Sequence, residues 1–444
     1  MNNQLPPFDD QNKEYNRIDK NSMEQTEKRV LSLFSGCGGM DIGFEGGFLC
    51  RKRSINQALH PDWIQKDLGD WVKVKRTGFR TVFANDIRPD AKAAWVKYFQ
   101  KENPNSNDIY HIGSIVDLVK DCHRGKEVFP QDIDIVTGGF PCQDFSVAGK
   151  RKGFSSEKDH NGNKLKIDEP TVESRGQLYM WMREVISITQ PSIFIAENVK
   201  GLTTLEDAKD IIEHDFANAA EGGYLVIPAR ILQAANYGVP QSRERIIFYG
   251  FKRSALKPRA LCALTDINRY PEYDPYPLPT HSFHASGNNL SPFVTCREAL
   301  EGLEEPEFAK DIAQTRYSKA KYLPHTQGNA EIKPNSVSPT IRSEHHGNIE
   351  FRRLSKENGG KHSDELEAGL AQRRLTVREC ARLQTFPDDY EFILPSQNGN
   401  VSVSASDAYK IIGNAVPCVL GYNIAMRIAE NWDKYFNGEN EKCL

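Results

Sequence analysis

Cys142 lies in a loop whose composition suits chemistry better than packing. The stretch GGFPCQDFSVAGKRKGF, residues 138–154, follows the apolar run IDIV and places a proline directly before the cysteine. Pro141 fixes the local backbone, whereas the flanking glycines leave the rest of the loop able to move. A thiol that ionises is a strong nucleophile, although most free cysteines are buried small hydrophobes. We interpret Cys142 as a candidate nucleophile.

A carboxyl group follows another apolar run. The segment IFIA, residues 193–196, is followed by Glu197, Asn198 and Val199. A buried carboxyl beside an activated thiol can supply and accept protons on a heterocycle. Taken alone, either residue would more often be a packing cysteine or a helix-capping glutamate. Because both follow predicted strands of one sheet, the two together predict an active site.

A glycine-rich turn indicates where a cofactor binds. The stretch LSLFSGCGGMDIGFEGGF, residues 31–48, is typical of a strand, a glycine turn and a helix that lets a ligand approach the backbone. The next predicted strand ends at Asp86, where an acid can accept hydrogen bonds from a ribose diol. The spacing is not GxGxxG, which disfavours NAD. We expect a nucleoside cofactor without a pyrophosphate, and S-adenosylmethionine is the obvious candidate.

The elements that position these residues alternate along the chain. Short apolar runs predict strands at VLSLF (30–34), TVFA (81–84), IDIV (133–136), IFIA (193–196) and RIIFYGF (245–251). Helical spacing predicts helices at 90–99, 178–189 and 207–220. This alternation predicts an α/β fold with a doubly wound, mostly parallel sheet. Ligands of such sheets bind at the carboxyl ends of the strands.

The composition and the periodicity of the sequence change after residue 252. Proline and tyrosine accumulate, and polar segments without a clear period follow, although aromatic residues continue throughout. We predict a catalytic and cofactor-binding domain from 29–254 plus 405–434, and a second, smaller irregular domain at 255–404 that recognises the target. Residues 1–28 form a polar tail that we expect to be disordered.

Composition narrows the class of protein. The 444 residues are 39% hydrophobic and 26% charged, which is ordinary for a globular protein, and no apolar run is long enough to span a membrane. The nine cysteines include no CxxC pair, so we expect no metal site and no disulfide framework, and a reduced, cytoplasmic setting. Because the net charge is −3, nucleic acid would have to be held by local basic patches.

Motifs in a fixed order give a resemblance to a known family. The chain contains FSGCGG, GGFPCQDFS, RGQLYMWM, ENVKGL, NYGVPQSRERI, RRLTVRECARLQTFPDDY and IGNAVP, from Leu31 to about Ala429. In this order they resemble a DNA (cytosine-5)-methyltransferase of the bacterial type II restriction–modification kind. The resemblance implies S-adenosylmethionine as cofactor, duplex DNA as substrate, a partner restriction endonuclease and a flipped-out target base. One asymmetric recognition domain suits a monomer.

The resemblance also implies a role for individual residues. Cys142 would add to C6 of cytosine, Glu197 would hold N3 and the exocyclic amine, Arg245 would reach O2, and Arg243 would lie beside the cysteine–base pair. The cofactor pocket would be shaped by Phe34, Gly36, Gly38, Gly39, Asp86, Ile87, Ser114, Pro141, Asn414 and Val416. Separately from the resemblance, the candidate DNA contacts are Gln143, Ser146, Lys150 and Arg151 in the cysteine loop, and Thr340, Arg342, Arg352 and Arg353 in the polar stretch SPTIRSEHHGNIEFRR (338–353).

The chain departs from the family pattern in three places. Ser114 stands where the family has an acid that contacts the adenine amine. The segments 51–77 and 155–174 are longer than the fold needs, and we expect them to lie outside the active site, although the second could touch DNA.

Three other functions remain open at this level. They are an RNA (tRNA) cytosine methyltransferase of the same fold, a DNA-binding protein built on an inactive methyltransferase, and an NAD oxidoreductase. The long variable domain disfavours the first, the intact set of candidate catalytic residues the second, and the glycine spacing the third.

Overall fold

The computed structural model describes residues 27–141, 178–204, 207–285, 289–343, 348–396 and 402–436. The predicted nucleophile and four predicted DNA contacts therefore lie outside the described residues: Cys142, Gln143, Ser146, Lys150 and Arg151. The same holds for the segment 155–174 and for the N-terminal residues 1–26.

Strands form one large sheet and several small ones. In chain order they are β1 (Lys28–Leu33), β2 (Leu49–Arg51), β3 (Ile64–Asp67), β4 (Trp71–Val74), β5 (Phe79–Asp86), β6 (Tyr110–Ile112), β7 (Ile135–Gly138), β8 (Ile193–Val199), β9 (Tyr224–Gln233), β10 (Glu244–Lys252), β11 (His281–Ser282), β12 (Ser291–Pro292), β13 (Phe351–Arg353) and β14 (Arg373–Arg374). Seven of them make the central sheet, in the order β6-β5-β1-β7-β8-β10-β9. Its pairs are parallel except where β10 meets β8 and β9.

Helices cover the sheet and fill the C-terminal half of the chain. They are α1 (Gly39–Glu45), α2 (Pro89–Phe99), α3 (Ser106–Ile109), α4 (Ile115–His123), α5 (Leu178–Thr189), α6 (Ala208–Ala217), α7 (Pro258–Thr265), α8 (Cys296–Leu300), α9 (Ile312–Thr315), α10 (Ser363–Glu367), α11 (Val377–Leu383), α12 (Ala405–Asn414) and α13 (Cys418–Tyr435). The predicted α/β fold with a mostly parallel sheet is confirmed.

Register brings the candidate residues to one edge of the sheet. Leu33 at the end of β1 pairs with Asn85 of β5 on one side and with Gly138 of β7 on the other. Gly138 in turn pairs with Ala196, the residue before Glu197. Because these four strands are parallel, the glycine turn, Asp86, the start of the cysteine loop and Glu197 lie along the same edge.

Helix α13 is buried against α1 by close backbone contact. A Cβ atom added to Gly43 would lie 2.5 Å from the carbonyl oxygen of Cys418, so only glycine allows this approach. Among the described residues, the stretch Ala405–Tyr435 is long and apolar enough to cross a membrane, but it is mostly buried inside the protein, as a core helix is. The chain thus returns to the first helix after leaving the sheet.

The irregular region is held together by buried arginines at and near α11. Arg374 donates to the carbonyl oxygens of Ala320, Lys321 and Gly328, and Arg378 to those of Pro387 and Tyr390. A segment with little regular structure has many carbonyl groups without a backbone donor, and guanidinium groups satisfy several of them at once. This explains how the region packs without long helices or strands.

The described cysteines are mostly free. Those without a disulfide are Cys37, Cys50, Cys122, Cys296, Cys380 and Cys418. Cys262 is disulfide-bonded. One such link is not the framework of several disulfides that a disulfide-dense small domain needs.

Candidate active site

Glu197 and Arg245 form an ion pair at the end of two antiparallel strands. Ile247 of β10 lies opposite Glu197 of β8, and Arg245 lies two residues further along the same face of the sheet. Its Nε is 2.7 Å from the Glu197 Oε1, and both side chains are about nine-tenths buried. The structure thus brings together two of the four predicted catalytic residues.

Burial and charge act on the Glu197 carboxyl in opposite directions. Burial raises its pKa, while the guanidinium groups of Arg245 and Arg243 and the hydrogen bond from Arg245 lower it. Burial dominates, so the pKa of Glu197 is raised above its usual value. The carboxyl is therefore suited to hold a proton that a reacting base can use.

The same carboxyl faces the backbone that leads into the cysteine loop. A Cβ atom on Gly139 would lie 2.9 Å from the Glu197 Oε2, so a larger residue at this point would displace the carboxylate. Asn198 donates from Nδ2 to the Phe140 carbonyl oxygen at 3.2 Å. Sequence reasoning assigned no role to Asn198. In the structure it fixes the backbone immediately before Pro141 and Cys142.

Arg243 is fully buried and joins three segments that are far apart in sequence. It donates to the carbonyl oxygens of Ile341, Gly413 and Ala415 at 2.8–2.9 Å. Its charge acts on Glu197, as expected of a residue close to the reacting groups. Its hydrogen bonds, however, go to the protein backbone, so it also fixes the segment around Ile341 against the end of α12.

The glycine turn after β1 has a sparsely populated backbone conformation. Phe34, Gly36 and Gly38 all have positive φ angles, of 53°, 52° and 77°. A positive φ in a residue other than glycine is strained, and such strain is common at ligand sites. A Cβ atom on Gly36 would meet no heavy atom within 4 Å, so open space adjoins the turn.

The turn is held in place from several directions. The Gly36 N–H donates to Asp86 at 3.0 Å, and the Tyr110 hydroxyl donates to the Gly36 carbonyl oxygen at 2.9 Å. The Tyr390 hydroxyl, from the segment after α11, donates to the Cys37 carbonyl oxygen at 2.8 Å. The two tyrosines were not predicted, because nothing in the local sequence relates them to the turn.

Asp86 and Ile87 stand where a nucleoside would be held. Burial raises the pKa of Asp86, and hydrogen bonds from the Arg88 and Gly36 backbone N–H groups oppose this. Ile87 is 41% exposed, which is unusual for a large aliphatic side chain beside a turn. A partly buried carboxylate for a diol, an exposed apolar side chain and open space at Gly36 together fit a nucleoside cofactor.

Val416 and Asn414 lie at the junction between α12 and α13. A Cβ atom on Gly39 would come within 2.2 Å of the Val416 carbonyl oxygen, so the start of α1 packs directly on this junction. Val416 is buried and Asn414 is exposed. The structure thus places both near the glycine turn.

Ser114 has a structural partner of its own. It is the N-cap of α4, where its hydroxyl accepts a hydrogen bond from the Val116 N–H at 3.3 Å, and its side chain is buried. Serine is a preferred residue at this position because its oxygen satisfies a free N–H of the first turn. Its contact with an adenine remains a prediction.

Two predicted DNA contacts lie beside the predicted catalytic arginines. Thr340 donates to the Ser242 carbonyl oxygen at 2.6 Å, and the Ile341 N–H donates to Gln241 at 3.0 Å. Arg342 is held by Gln327 at 2.6 Å and Glu350 at 3.3 Å. We call residues 338–342 the reading strip. It is fastened directly to the segment that leads into β10.

Arg352 and Arg353 differ from this arrangement. The Arg353 side chain is 2% exposed and lies between Glu305 and Glu365, at 2.5 and 2.6 Å. A buried guanidinium paired with two carboxylates has a structural role of its own, and the contact of Arg353 with DNA stays a prediction. Arg352 is paired with Glu365 and is less deeply buried. Its role on DNA stays a prediction.

Comparisons with known proteins agree with this geometry. The chain matches the family model of the C-5 cytosine-specific DNA methylases over residues 69–430. It is 34% identical to the type II methyltransferase M.BspRI of Lysinibacillus sphaericus over 412 residues, which cover 90% of this chain and 81% of the relative. It is 32% identical to M.BsuRI of Bacillus subtilis over 425 residues, with 94% and 82% covered.

Solved structures show the same fold. A DNA modification methyltransferase from an Escherichia coli prophage aligns with a TM-score of 0.51 at 20% identity, over 91% of this chain and 99% of its own. The S. pombe Dnmt2 methyltransferase aligns with a TM-score of 0.50 at 20% identity, over 90% and 98%. At this identity the likeness concerns the fold alone.

Proposed function

Because the chain belongs to the C-5 cytosine-specific DNA methylases, we propose that it methylates one cytosine within a specific duplex DNA sequence. The methyl donor is S-adenosylmethionine, and the nucleophile is Cys142. The observation that carries the proposal is the buried Glu197–Arg245 pair, which lies at the same sheet edge as the glycine turn and faces the backbone before Cys142.

Cytosine itself explains why a nucleophile is needed. C5 is a weak nucleophile, and addition of the Cys142 thiolate to C6 breaks the C5–C6 double bond and makes C5 an enamine-type carbon. S-adenosylmethionine, when bound, supplies an electrophilic methyl group. After C5 has been methylated, its proton leaves, the electrons re-form the double bond, and the bond between sulfur and C6 breaks. Cys142 is thereby regenerated.

Glu197 and Arg245 hold the base during this addition. Electron density that enters the ring at C6 is stabilised by a proton at N3, and the Glu197 carboxyl, whose pKa is raised, supplies or shares that proton. Arg245 keeps the carboxyl oriented and presents cationic N–H donors toward O2 of the base. Asn198 fixes the backbone of the cysteine loop relative to this pair.

Cofactor and DNA have separate places in the proposed enzyme. Asp86 would hold the ribose and Ile87 would cover the adenine at the open side of the glycine turn. C5 and C6 are stacked inside a duplex, so the target base must leave the helix to reach Glu197. The reading strip adjoins the catalytic arginines, which supports the region at 255–404 as the part that reads the sequence.

The relatives named as type II methyltransferases support one further statement. A methyltransferase of this kind protects the DNA of its host from a restriction endonuclease that cuts the same sequence. We infer that this chain has such a partner endonuclease, and we expect it to act as a monomer.

The nucleic acid that accepts the methyl group distinguishes this function from methylation of transfer RNA. The experiment measures transfer of a labelled methyl group to duplex DNA and to transfer RNA by the wild-type protein and by Cys142→Ser. We expect duplex DNA to be labelled and transfer RNA not. The serine variant should be inactive while it still binds S-adenosylmethionine, because a hydroxyl ionises far less than a thiol. Labelling of transfer RNA alone, or a serine variant near the wild-type rate, would refute the proposal.

A further inference from the structure

The residues between the first two strands of the central sheet form a small body of their own. Strands β2, β4 and β3 make an antiparallel sheet within residues 49–74, which we call the insert. Sequence analysis expected residues 51–77, which overlap the insert, to lie outside the active site, and gave them no role. In the structure it packs between α13 and the region at 255–404.

The loop between β2 and β3 attaches the insert to α13. The indole N–H of Trp63 donates to Glu430 at 2.8 Å, and the Trp63 ring packs edge-on against Tyr422. Because α13 packs on α1, this loop is attached to the part of the protein that carries the glycine turn.

The same loop holds the region at 255–404 through Asn56, whose side-chain amide both donates and accepts hydrogen bonds. Asn56 is buried, and its Nδ2 donates to the carbonyl oxygens of Thr280 and Asn289, both at 2.8 Å. Its Oδ1 accepts from the N–H groups of Ala58 and Leu59, inside the insert, at 3.0 and 3.2 Å. The side-chain oxygen of Asn56 is thus bonded within the insert, and its side-chain nitrogen is bonded to the region at 255–404.

Two arginines that lie close to the ring of Trp71 hold the end of α8. Arg51 of the insert and Arg382 of α11 each lie 5.1 Å from the ring of Trp71. Arg51 reaches Glu301 at 2.9 Å, and Arg382 donates to the Glu301 carbonyl oxygen at 2.7 Å. A cation on an aromatic face is attracted by the ring, and this arrangement fixes the position of α8.

Helix α8 is hydrogen-bonded to the residues just before the reading strip. The N–H groups of Cys296 and Arg297 donate to the carbonyl oxygens of Ser336 and Pro334, each at 2.8 Å. These acceptors come just before Ser338, whose N–H donates to the Pro240 carbonyl oxygen at 2.9 Å. The segment before β10 therefore holds the reading strip directly. Helix α8 holds the residues that come just before it.

From these contacts we propose that the insert is a brace that sets the position of the reading strip, and that Asn56, Arg51 and Trp71 are positioning residues for target selection. The inference rests on the proposed function, because it assumes that residues 338–342 read DNA. It predicts that loosening the brace changes which sequences are methylated and leaves the cofactor site as it is.

Asn56→Asp tests the brace with little change in shape. The carboxylate still accepts from Ala58 and Leu59, but it cannot donate to Thr280 and Asn289. The matched control is Lys52→Ala, which removes an exposed ion pair between Lys52 and Asp67, both inside the insert. We expect the ratio of kcat/KM on target to single-mismatch duplexes to fall about tenfold in Asn56→Asp, the order of effect of losing buried hydrogen bonds. The control should match wild type.

A second measurement keeps the test independent of activity. Hydrogen exchange of the backbone amides at 289–301 should be faster in Asn56→Asp than in wild type and in Lys52→Ala, with S-adenosylmethionine affinity unchanged. Unchanged exchange, or an unchanged selectivity ratio, would overturn the brace. A fall in melting temperature and cofactor affinity without a change in selectivity would also overturn it. A wild-type protein that methylates no duplex DNA would instead refute the proposed function, while the exchange result still decides whether the insert holds 289–301.

Discussion

At the scale of single residues, the Glu197–Arg245 pair is the feature on which the proposed chemistry depends. The two side chains are close, nearly buried and opposite in charge, so each sets the orientation of the other. Removing one partner of a buried pair leaves the other charge uncompensated, which costs far more than the pair contributes. For this reason a conservative change at Glu197 is more informative than a truncation.

Glu197→Gln keeps the shape of the side chain but removes its ability to share a proton with N3. We expect the rate of methyl transfer at saturating substrate to fall about 10²–10⁴-fold, the range for general acid–base groups. Single-turnover kinetics with a target duplex would measure this loss. Affinity for S-adenosylmethionine serves as the control and should remain close to wild type. A variant with normal turnover would show that Glu197 has another role.

At the scale of elements, two of the predicted cofactor residues occupy different structural positions. Asp86 ends β5 with a carboxyl group that faces the glycine turn, whereas Ser114 starts α4 and caps its first turn. The two residues follow neighbouring strands, yet only one has a side chain directed at the turn. Their substitutions should therefore have different consequences.

Asp86→Ala should weaken binding of S-adenosylmethionine more than Ser114→Ala does. A carboxylate makes charge-assisted bonds to ribose hydroxyls that are roughly twice as strong as neutral ones. Loss of the Ser114 cap should instead lower the stability of the fold by about 1 kcal/mol. Calorimetric titration and thermal unfolding of both variants separate the two effects. A larger loss of cofactor affinity at Ser114 would assign the adenine contact to its hydroxyl.

The elements of the sheet could be predicted from the sequence wherever local apolar runs form its buried strands. Residues 30–34, 81–84, 193–196 and 245–251 are such runs, and each became a strand. Strand β9 was missed because YLVIPARILQ contains a proline and an arginine, and its position at the sheet edge tolerates both. The insert was missed because β3 is largely exposed and has no apolar pattern.

The candidate site could be predicted in part for the same physical reason. Glu197 and Asp86 follow strands, so their common location is a consequence of parallel pairing. The contacts of Arg243 and of Tyr390 cross more than 90 residues of sequence, and no local pattern encodes them. Arg353 was assigned to DNA from its charge, and only the fold shows the two carboxylates that neutralise it.

At the scale of the whole molecule, hydrogen bonds join the central sheet to the region at 255–404. The sheet carries the groups assigned to cofactor and base, while the region at 255–404 carries the reading strip. Arg243, Gln241 and the insert connect them through hydrogen bonds to backbone groups. We therefore expect that substitutions in the two regions will affect chemistry and target selection separately.

Covalent trapping of the target base is the most direct test of the account. Duplex DNA that contains 5-fluorocytosine at the methylated position cannot lose a proton from C5, so the bond between sulfur and C6 should persist. With S-adenosylmethionine present, we predict a denaturation-resistant complex with the wild-type protein, and peptide mapping should place the adduct on Cys142. Cys142→Ser should form no such complex. A trapped duplex linked to another residue, or active enzyme that never becomes linked, would contradict the assignment of Cys142 as the nucleophile.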